Sequence, residues 1–173
     1  MSSTSTASLL DVRNLQVAFR TRQGLLTITH DVSFAVMPGE RLGLVGESGC
    51  GKSVTGLSLM RLLPADVARV QGQVLLRGTD LLQLTERQMR AVRGRDVAMI
   101  FQEPMSALDP VFTVGDQIAE AYRAHGGVDA KSAERKALDM LAAVKMRDPD
   151  RVFHAYPHEL SGGMGQRAMI AMM

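Results

Sequence analysis

The sequence predicts an α/β protein, and three observations carry that reading. Apolar residues alternate with period two near the start, a glycine-rich loop separates a short apolar run from a helix-like segment, and helical spacing dominates from Gly115 onward. Over residues 9–19 the alternating apolar positions are Leu15, Val17 and Phe19; over 25–36 they are Leu26, Ile28, Val32, Phe34 and Val36. Both segments read as half-buried antiparallel strands. Met37-Pro38-Gly39-Glu40 reads as a turn, because proline fixes φ and glycine permits a positive one. Leu42–Val45 is a short apolar run suited to a buried parallel strand, and Val97–Phe101 is a second. Lys52–Leu63 has helical spacing through Leu57, Met60 and Leu63, ended by Pro64. Val74–Leu76 reads as a strand closed by Arg77-Gly78. Ala137, Leu138, Leu141 and Val144 form one apolar face of a helix over about 131–147.

Composition narrows the classes. A chain of 173 residues has room for one domain with a real core. With 46% apolar and 22% charged residues it is neither disordered nor collagen-like. Lys and Arg exceed Asp and Glu by only two, so nothing in the charge argues for nucleic acid as a partner. A single cysteine excludes an internal disulfide framework and fits a reducing compartment. The stretch Met1–Ser8 has neither the basic cluster nor the apolar run of a secretory signal. No window approaches the ~20 apolar residues of a spanning helix. His30, His125, His154 and His158 lack metal-ligand spacing, and Arg87, Arg90, Arg93 and Arg95 read as a solvated helix face.

The chemistry concentrates at Gly46-Glu47-Ser48-Gly49-Cys50-Gly51-Lys52-Ser53, which matches G-x-x-x-x-G-K-[ST] at every fixed position. Glycines let successive backbone N–H groups turn inward into an anion nest, which a Cβ at Gly46 or Gly51 would obstruct. A helix beginning near Lys52, with Val54 in its first turn, directs the positive end of its dipole at the same phosphates. Lys52 reaches terminal phosphate oxygens as a point charge, and the Ser53 hydroxyl suits Mg²⁺. The motif sits between a strand candidate and a helix, as a nucleotide-binding loop requires. Cys50 reads either as a small residue at a permissive position or as a thiol activated by the dipole and Lys52.

Two further segments point to a family. Residues 99–110 read Met-Ile-Phe-Gln-Glu-Pro-Met-Ser-Ala-Leu-Asp-Pro, and 156–167 read Tyr-Pro-His-Glu-Leu-Ser-Gly-Gly-Met-Gly-Gln-Arg. In this order after the phosphate loop they resemble the Q-loop and signature motif of ABC transporter ATP-binding subunits, and their wording is similar to the oligopeptide/dipeptide import branch. The resemblance covers the chain from about Leu9 onward. It implies a P-loop NTPase fold of the ABC type. The antiparallel β part and phosphate-loop core would span about 9–103 and a helical subdomain about 104–160, with the signature helix starting over 161–173. Phe19 would stack on adenine, although strand alternation alone would make it a core residue. Gln102 would contact Mg²⁺ or the attacking water, a catalytic role alongside Lys52. Ser161, Gly162 and Gly163 would bind the γ-phosphate held by the opposite subunit; the plainer alternative for Ser161 is a helix cap. ATP and Mg²⁺ are the implied cofactors. The implied partners are transmembrane permease subunits, a second ATP-binding subunit and, indirectly, an extracytoplasmic solute-binding protein, with the chain peripheral on the cytoplasmic face of a bacterial inner membrane.

The resemblance also implies parts that the sequence does not contain. In the family a Walker B strand, a catalytic glutamate, a D-loop and a switch histidine follow the signature motif. Asp80, Asp96 and Asp109 do not replace them, since no four-residue apolar strand precedes any of the three. The C-terminal part of the core is therefore expected to be missing, leaving Leu42–Val45 and Val97–Phe101 with exposed apolar faces. The function expected is the ATP-binding motor of an importer of peptides or related small solutes; the alternative is a truncated, non-hydrolysing remnant. Gly165 is a departure, since the branch usually carries Arg or Lys there, and glycine early in a helix costs about 1 kcal/mol against alanine. The purified chain is expected to show no ATP turnover. MgATP hydrolysis that disappears in Lys52→Ala would overturn that expectation.

Overall fold

Alternating apolar residues in the first third of the chain pair into one antiparallel sheet, in a computed structural model that describes residues 8–173. The segment Met1–Ala7, read above as carrying no secretory signal, lies outside the described residues. β1 (Leu10–Thr21) and β2 (Gly24–Val36) form a hairpin, β3 (Ala68–Leu76) pairs with the other edge of β1, and the short β4 (Thr79–Asp80) closes the order β2-β1-β3-β4. The expected antiparallel β part is thus present. Arg77 and Gly78, both at positive φ, make the turn from β3 to β4.

A bulge resets the phase of β1. Asn14 takes φ 49°, its N–H donates to Ser33 Oγ at 2.8 Å, and the β1–β3 register shifts between Arg13 and Gln16. The inward positions are therefore Val12, Leu15 and Val17, with a step of three before the step of two. A second shift follows Val17, so Ala18 is buried and Phe19 only half buried. The reading of Phe19 as a core residue by alternation fails for that reason.

Met37–Glu40 is the expected turn. Gly39 stands at φ 78°, Glu40 N–H donates to the Met37 carbonyl at 3.0 Å, and the Glu40 carboxylate accepts the Met37 N–H at 2.6 Å. α1 (Lys52–Leu59) is shorter than the spacing suggested. It ends in a Schellman motif: Arg61 is left-handed at φ 51°, Leu62 N–H reaches the Leu57 carbonyl at 2.9 Å, and Arg61 N–H reaches Ser58 at 3.0 Å. Pro64 stops nothing, because the helix has already closed.

Two expected strands do not form. Residues 41–47 carry no regular structure, and of Val97–Phe101 only Val97 makes an isolated bridge, to Arg93. Among the described residues neither run has a strand beside it, so no ladder holds it extended. Their apolar side chains are exposed, as expected above, Val45 being 93% exposed and Leu42, Leu44 and Ile100 about half exposed.

The chain divides into two units, residues 8–90 and 91–173. α2 (Glu86–Val92) crosses that division, with Arg87 and Arg90 exposed and Arg90 paired to Glu86 at 3.9 Å, a surface contact of little energetic weight. The second unit is helical. α3 (Val114–Gly126), α4 (Ala130–Ala143), α5 (Pro149–His154) and α6 (Gly162–Met172) share a core of Val114, Ile118, Ala137, Leu141, Val152, Phe153 and Ala168. Ala137 and Leu141 are buried and Leu138 and Val144 pack around them, so the apolar face read from the sequence is the packed one. Met146 is buried in the same core and Met140 packs against it. Hydroxyl and carboxylate caps begin α3 and α4: Thr113 accepts the Asp116 N–H, and Asp129 accepts the Ser132 N–H at 3.1 Å. The hydrogen bonds from Ser132 hold the Asp129 carboxyl below its ordinary range.

α3 and α5 meet where a side chain is missing. A Cβ at Gly115 would lie 2.2 Å from the Phe153 ring, so ring and helix fit only with glycine there. Gly115→Ala is expected to lower the urea midpoint, since overpacking of about 1–3 kcal/mol outweighs a helix-propensity gain of about 1 kcal/mol. Phe153→Ala is expected to cost about 3–5 kcal/mol by the same measurement. A Gly115→Ala midpoint at or above that of the parent chain would refute this packing.

Candidate functional site

The glycine loop is built against β2 from the sheet side. Gly51, at φ 94°, is the residue before α1 and is buried. A Cβ there would stand 2.8 Å from Thr29 Cγ2 and 3.5 Å from Ile28 Cγ2, so both the backbone angle and the space demand glycine. Thr29 is itself fixed, its hydroxyl accepting the Val17 N–H of β1 at 2.9 Å in a buried position. From the helix side, Thr55 Oγ1 donates to the Gly51 carbonyl at 3.0 Å. At the other end of the loop, a Cβ on Gly46 would stand 2.6 Å from Cys50 Sγ. The two glycines predicted to be obligatory are the ones whose missing side chains the neighbours occupy.

Lys52 sits at the centre of this curl. Its Nζ donates to the Gly46 carbonyl at 2.7 Å and the Glu47 carbonyl at 2.6 Å, and lies 3.5 Å from Cys50 Sγ. The ammonium thus draws both ends of the loop toward one point. No side chain caps α1, and its first turn contains no acidic residue. Its leading N–H groups have no intrahelical acceptor, and their positive dipole end favours an anion. Ser53 is exposed at the second helical position, with Val54 half-buried behind it. Glu47, Ser48, Gly49 and Cys50 are all exposed.

Two clefts flank the loop. One, of about 270 Å³, is lined by Phe19, Ile28, Gly49, Gly51, Lys52, Ser53 and Val54. The other, of about 330 Å³, includes Ile28, Thr29, His30, Leu44, Val45, Cys50 and Lys52. Phe19 therefore shares a cleft with the loop, on a strand that sequence separation alone would not place there. Ile28 lines both clefts and was not singled out from the sequence. Its one signal was its place in the alternation of β2.

The other candidate residues lie in the helical unit. Gln102 is exposed, two residues before a 3-10 turn at Pro104–Ala107 whose Ser106 hydroxyl donates to the Glu103 carbonyl at 2.7 Å. Ser161 occupies the N-cap position of α6, but its side chain makes no capping bond. The cap alternative therefore gives no account of the serine. Gly162 and Gly163 are exposed, and a Cβ on either would meet nothing within 4 Å. Internal packing does not require glycine at those two positions. Gly165 differs: it is buried, and a Cβ there would meet Met105. The helical cost of this departure thus has a packing cause.

Comparisons with known proteins identify the family and the fold. The sequence model of the ABC transporter family matches residues 29–173. The chain is 56% identical over 165 residues to the probable peptide ABC transporter ATP-binding protein y4tR of Sinorhizobium fredii, covering 95% of this chain and 49% of the relative. It is 47% identical over 165 residues to the dipeptide transport ATP-binding protein DppD of Bacillus subtilis, with the same coverage. The chain spans about half the length of these curated relatives. Among solved structures, the dimeric bacterial ABC transporter cassette MJ0796 superimposes with a TM-score of 0.79 at 20% identity, over 94% of this chain and 68% of that one. That likeness establishes the P-loop NTPase fold of the cassette type. With the cassette fold in place, the family match over most of the sequence shows that this chain belongs to the ABC transporter family.

Proposed function

We propose that the chain forms the phosphate-loop and signature portion of the ATP-binding subunit of an ABC importer for peptides or related small solutes. The observation that carries this reading is the loop itself. Gly46 and Gly51 are glycines because their neighbours fill the Cβ positions, and the loop closes around Lys52 at a helix start free of side-chain caps. Such a cradle suits a polyphosphate. In this reading Gly46 to Val54 hold the phosphates of ATP, Lys52 neutralises terminal oxygens, and Phe19 stacks on the base across the shared cleft. Ser53 offers one hydroxyl to Mg²⁺, which keeps most of its remaining ligands as water and phosphate oxygen. Gln102 orients the water or the metal, and Ser161, Gly162 and Gly163 receive the γ-phosphate of a second ATP-binding subunit. That both glycines face open space supports a role directed outside the unit.

Peptide import is supported by the relatives, which are named for peptide and dipeptide transport. No helix among the described residues is long and apolar enough to cross a membrane. The names of the relatives support a subunit on the cytoplasmic face of a bacterial inner membrane, against permease subunits that receive solute from an extracytoplasmic binding protein.

Titration with a fluorescent ATP analogue tests the site. Lys52→Ala removes a charge-assisted contact worth about 1.5–3 kcal/mol, so affinity is expected to fall roughly tenfold or more. Equal affinity in the two chains would defeat the proposal. Cys50 supplies an independent check. Alkylation with iodoacetamide adds bulk to an exposed sulfur 3.5 Å from Lys52 Nζ. It is expected to abolish binding, and MgATP to slow the modification. Full binding by the alkylated chain would separate Cys50 from the site.

A further inference from the structure

Met105 lies on the hollow that Gly165 leaves in α6. A Cβ at Gly165 would stand 2.3 Å from Met105 Sδ and 3.5 Å from its Cγ, so the thioether occupies the volume a methyl would take. Met105 belongs to the 3-10 turn three residues beyond Gln102, and Gly165 is four residues beyond Ser161. Met105 thus joins the segment carrying Gln102 to the helix that opens with Ser161-Gly162-Gly163, beside Leu108, which is buried in the same core as Ala168 and Ala171. Beside Gly165, α6 buries Ala168, Met169 and Ala171. A second tie fixes the same helix turn from the other side. Arg167 Nε donates to the Gly163 carbonyl at 3.3 Å, and its Nη1 donates to the Lys145 carbonyl at 2.9 Å, just past the end of α4.

We propose that Met105 and Gly165 form a positioning contact, a flexible thioether seated on a bare helix turn, that holds the Gln102 segment and the signature helix in one relative position. Methionine suits the task because its unbranched, polarizable side chain follows an irregular hollow. Glycine suits it because any side chain at 165 would lift the thioether away. The significance of the two joined segments rests on the proposed function; the contact itself does not.

Peroxide oxidation followed by peptide mass spectrometry reads the seat directly. Hydrogen peroxide transfers one oxygen to the thioether, giving the sulfoxide and water, at a rate set by access to the sulfur. In the 173-residue chain, Gly165→Ala is expected to raise the Met105 rate at least threefold relative to Met140, which packs against the core. Helix propensity alone predicts a firmer α6 and an unchanged Met105 rate, and that result would overturn the proposal. Should Gly165→Ala fail to fold, amide exchange over residues 162–167 reads the contact from the other side. Exchange is expected to rise in Met105→Ala, to return toward the parent rate in Met105→Leu, and to be restored when Gly165→Ala supplies a methyl to the emptied hollow. Exchange in Met105→Ala equal to that of the parent chain would also overturn it. Binding of the fluorescent ATP analogue is scored separately, so failure of the nucleotide reading leaves this result standing and the reverse holds as well.

Discussion

The contact between Thr29 and Gly51 is where the phosphate loop meets the sheet, and the geometry of the loop depends on it. Residues 41–47 have no strand partner among the described residues, so no ladder positions the loop from its N-terminal side. Position comes instead from Thr29, fixed to β1 by its hydroxyl and touching Gly51 through its methyl. One side chain thus does two jobs through two atoms on the same Cβ: the hydroxyl satisfies a buried N–H, and the methyl sets how closely the loop approaches. Without glycine at 51 the loop would be pushed off β2, and the start of α1 would move with it. Lys52 then closes the curl by gathering the carbonyls of Gly46 and Glu47, which a loop with no ladder cannot gather by itself.

Features that depend on local chemistry were legible in the sequence. The hairpin strands, the Pro38-Gly39 turn, the helix face at Ala137 and Leu141, and the glycine loop all follow from residues close in the chain. Features that depend on a partner were legible only in part: the exposed apolar faces of Leu42–Val45 and Val97–Phe101 were expected, the loss of their strand conformation was not. Leu42–Val45 has the apolar character of a buried strand, but strandness belongs to a pair, and the pattern of one segment cannot supply the other. Alternation alone, which would bury Phe19 in the core, fails for a related reason. Alternation counts residues as if the phase were constant, whereas Asn14 at φ 49° and the shift after Val17 change the phase twice within one strand. The early end of α1 turned on a left-handed Arg61, a conformation for which arginine gives no compositional sign.

Gly165 shows how a local rule misleads when the packing is hidden. Glycine inside a helix is unfavourable by propensity, and that remains true. The packing explains the departure without cancelling its cost, because Met105 fills the space that a side chain would need. Gly115 repeats the arrangement with Phe153 as its occupant. In both cases the informative quantity is what stands over the glycine, which lies tens of residues away in the chain and carries no signal at the glycine itself.

The two glycine-rich helix starts of this chain can be separated by the same criterion. α1 and α6 both begin without a side-chain cap, and both leave their first N–H groups free of intrahelical acceptors. At Gly51 both the backbone angle and the Thr29 methyl forbid a side chain, and at Gly46 the Cys50 sulfur stands where a Cβ would go. At Gly162 and Gly163 the fold forbids nothing, for open space surrounds both positions. Glycines of the first kind are needed for the loop to exist. Glycines of the second kind have no cause in the packing of the unit. An uncapped helix start with exposed N–H groups and no side chains beside it suits an anion presented from outside the unit. Under the proposed function that anion is the terminal phosphate of a nucleotide held by a second subunit. The chain would then carry both halves of a shared site, one shaped by its own packing and the other left open for a neighbour to fill.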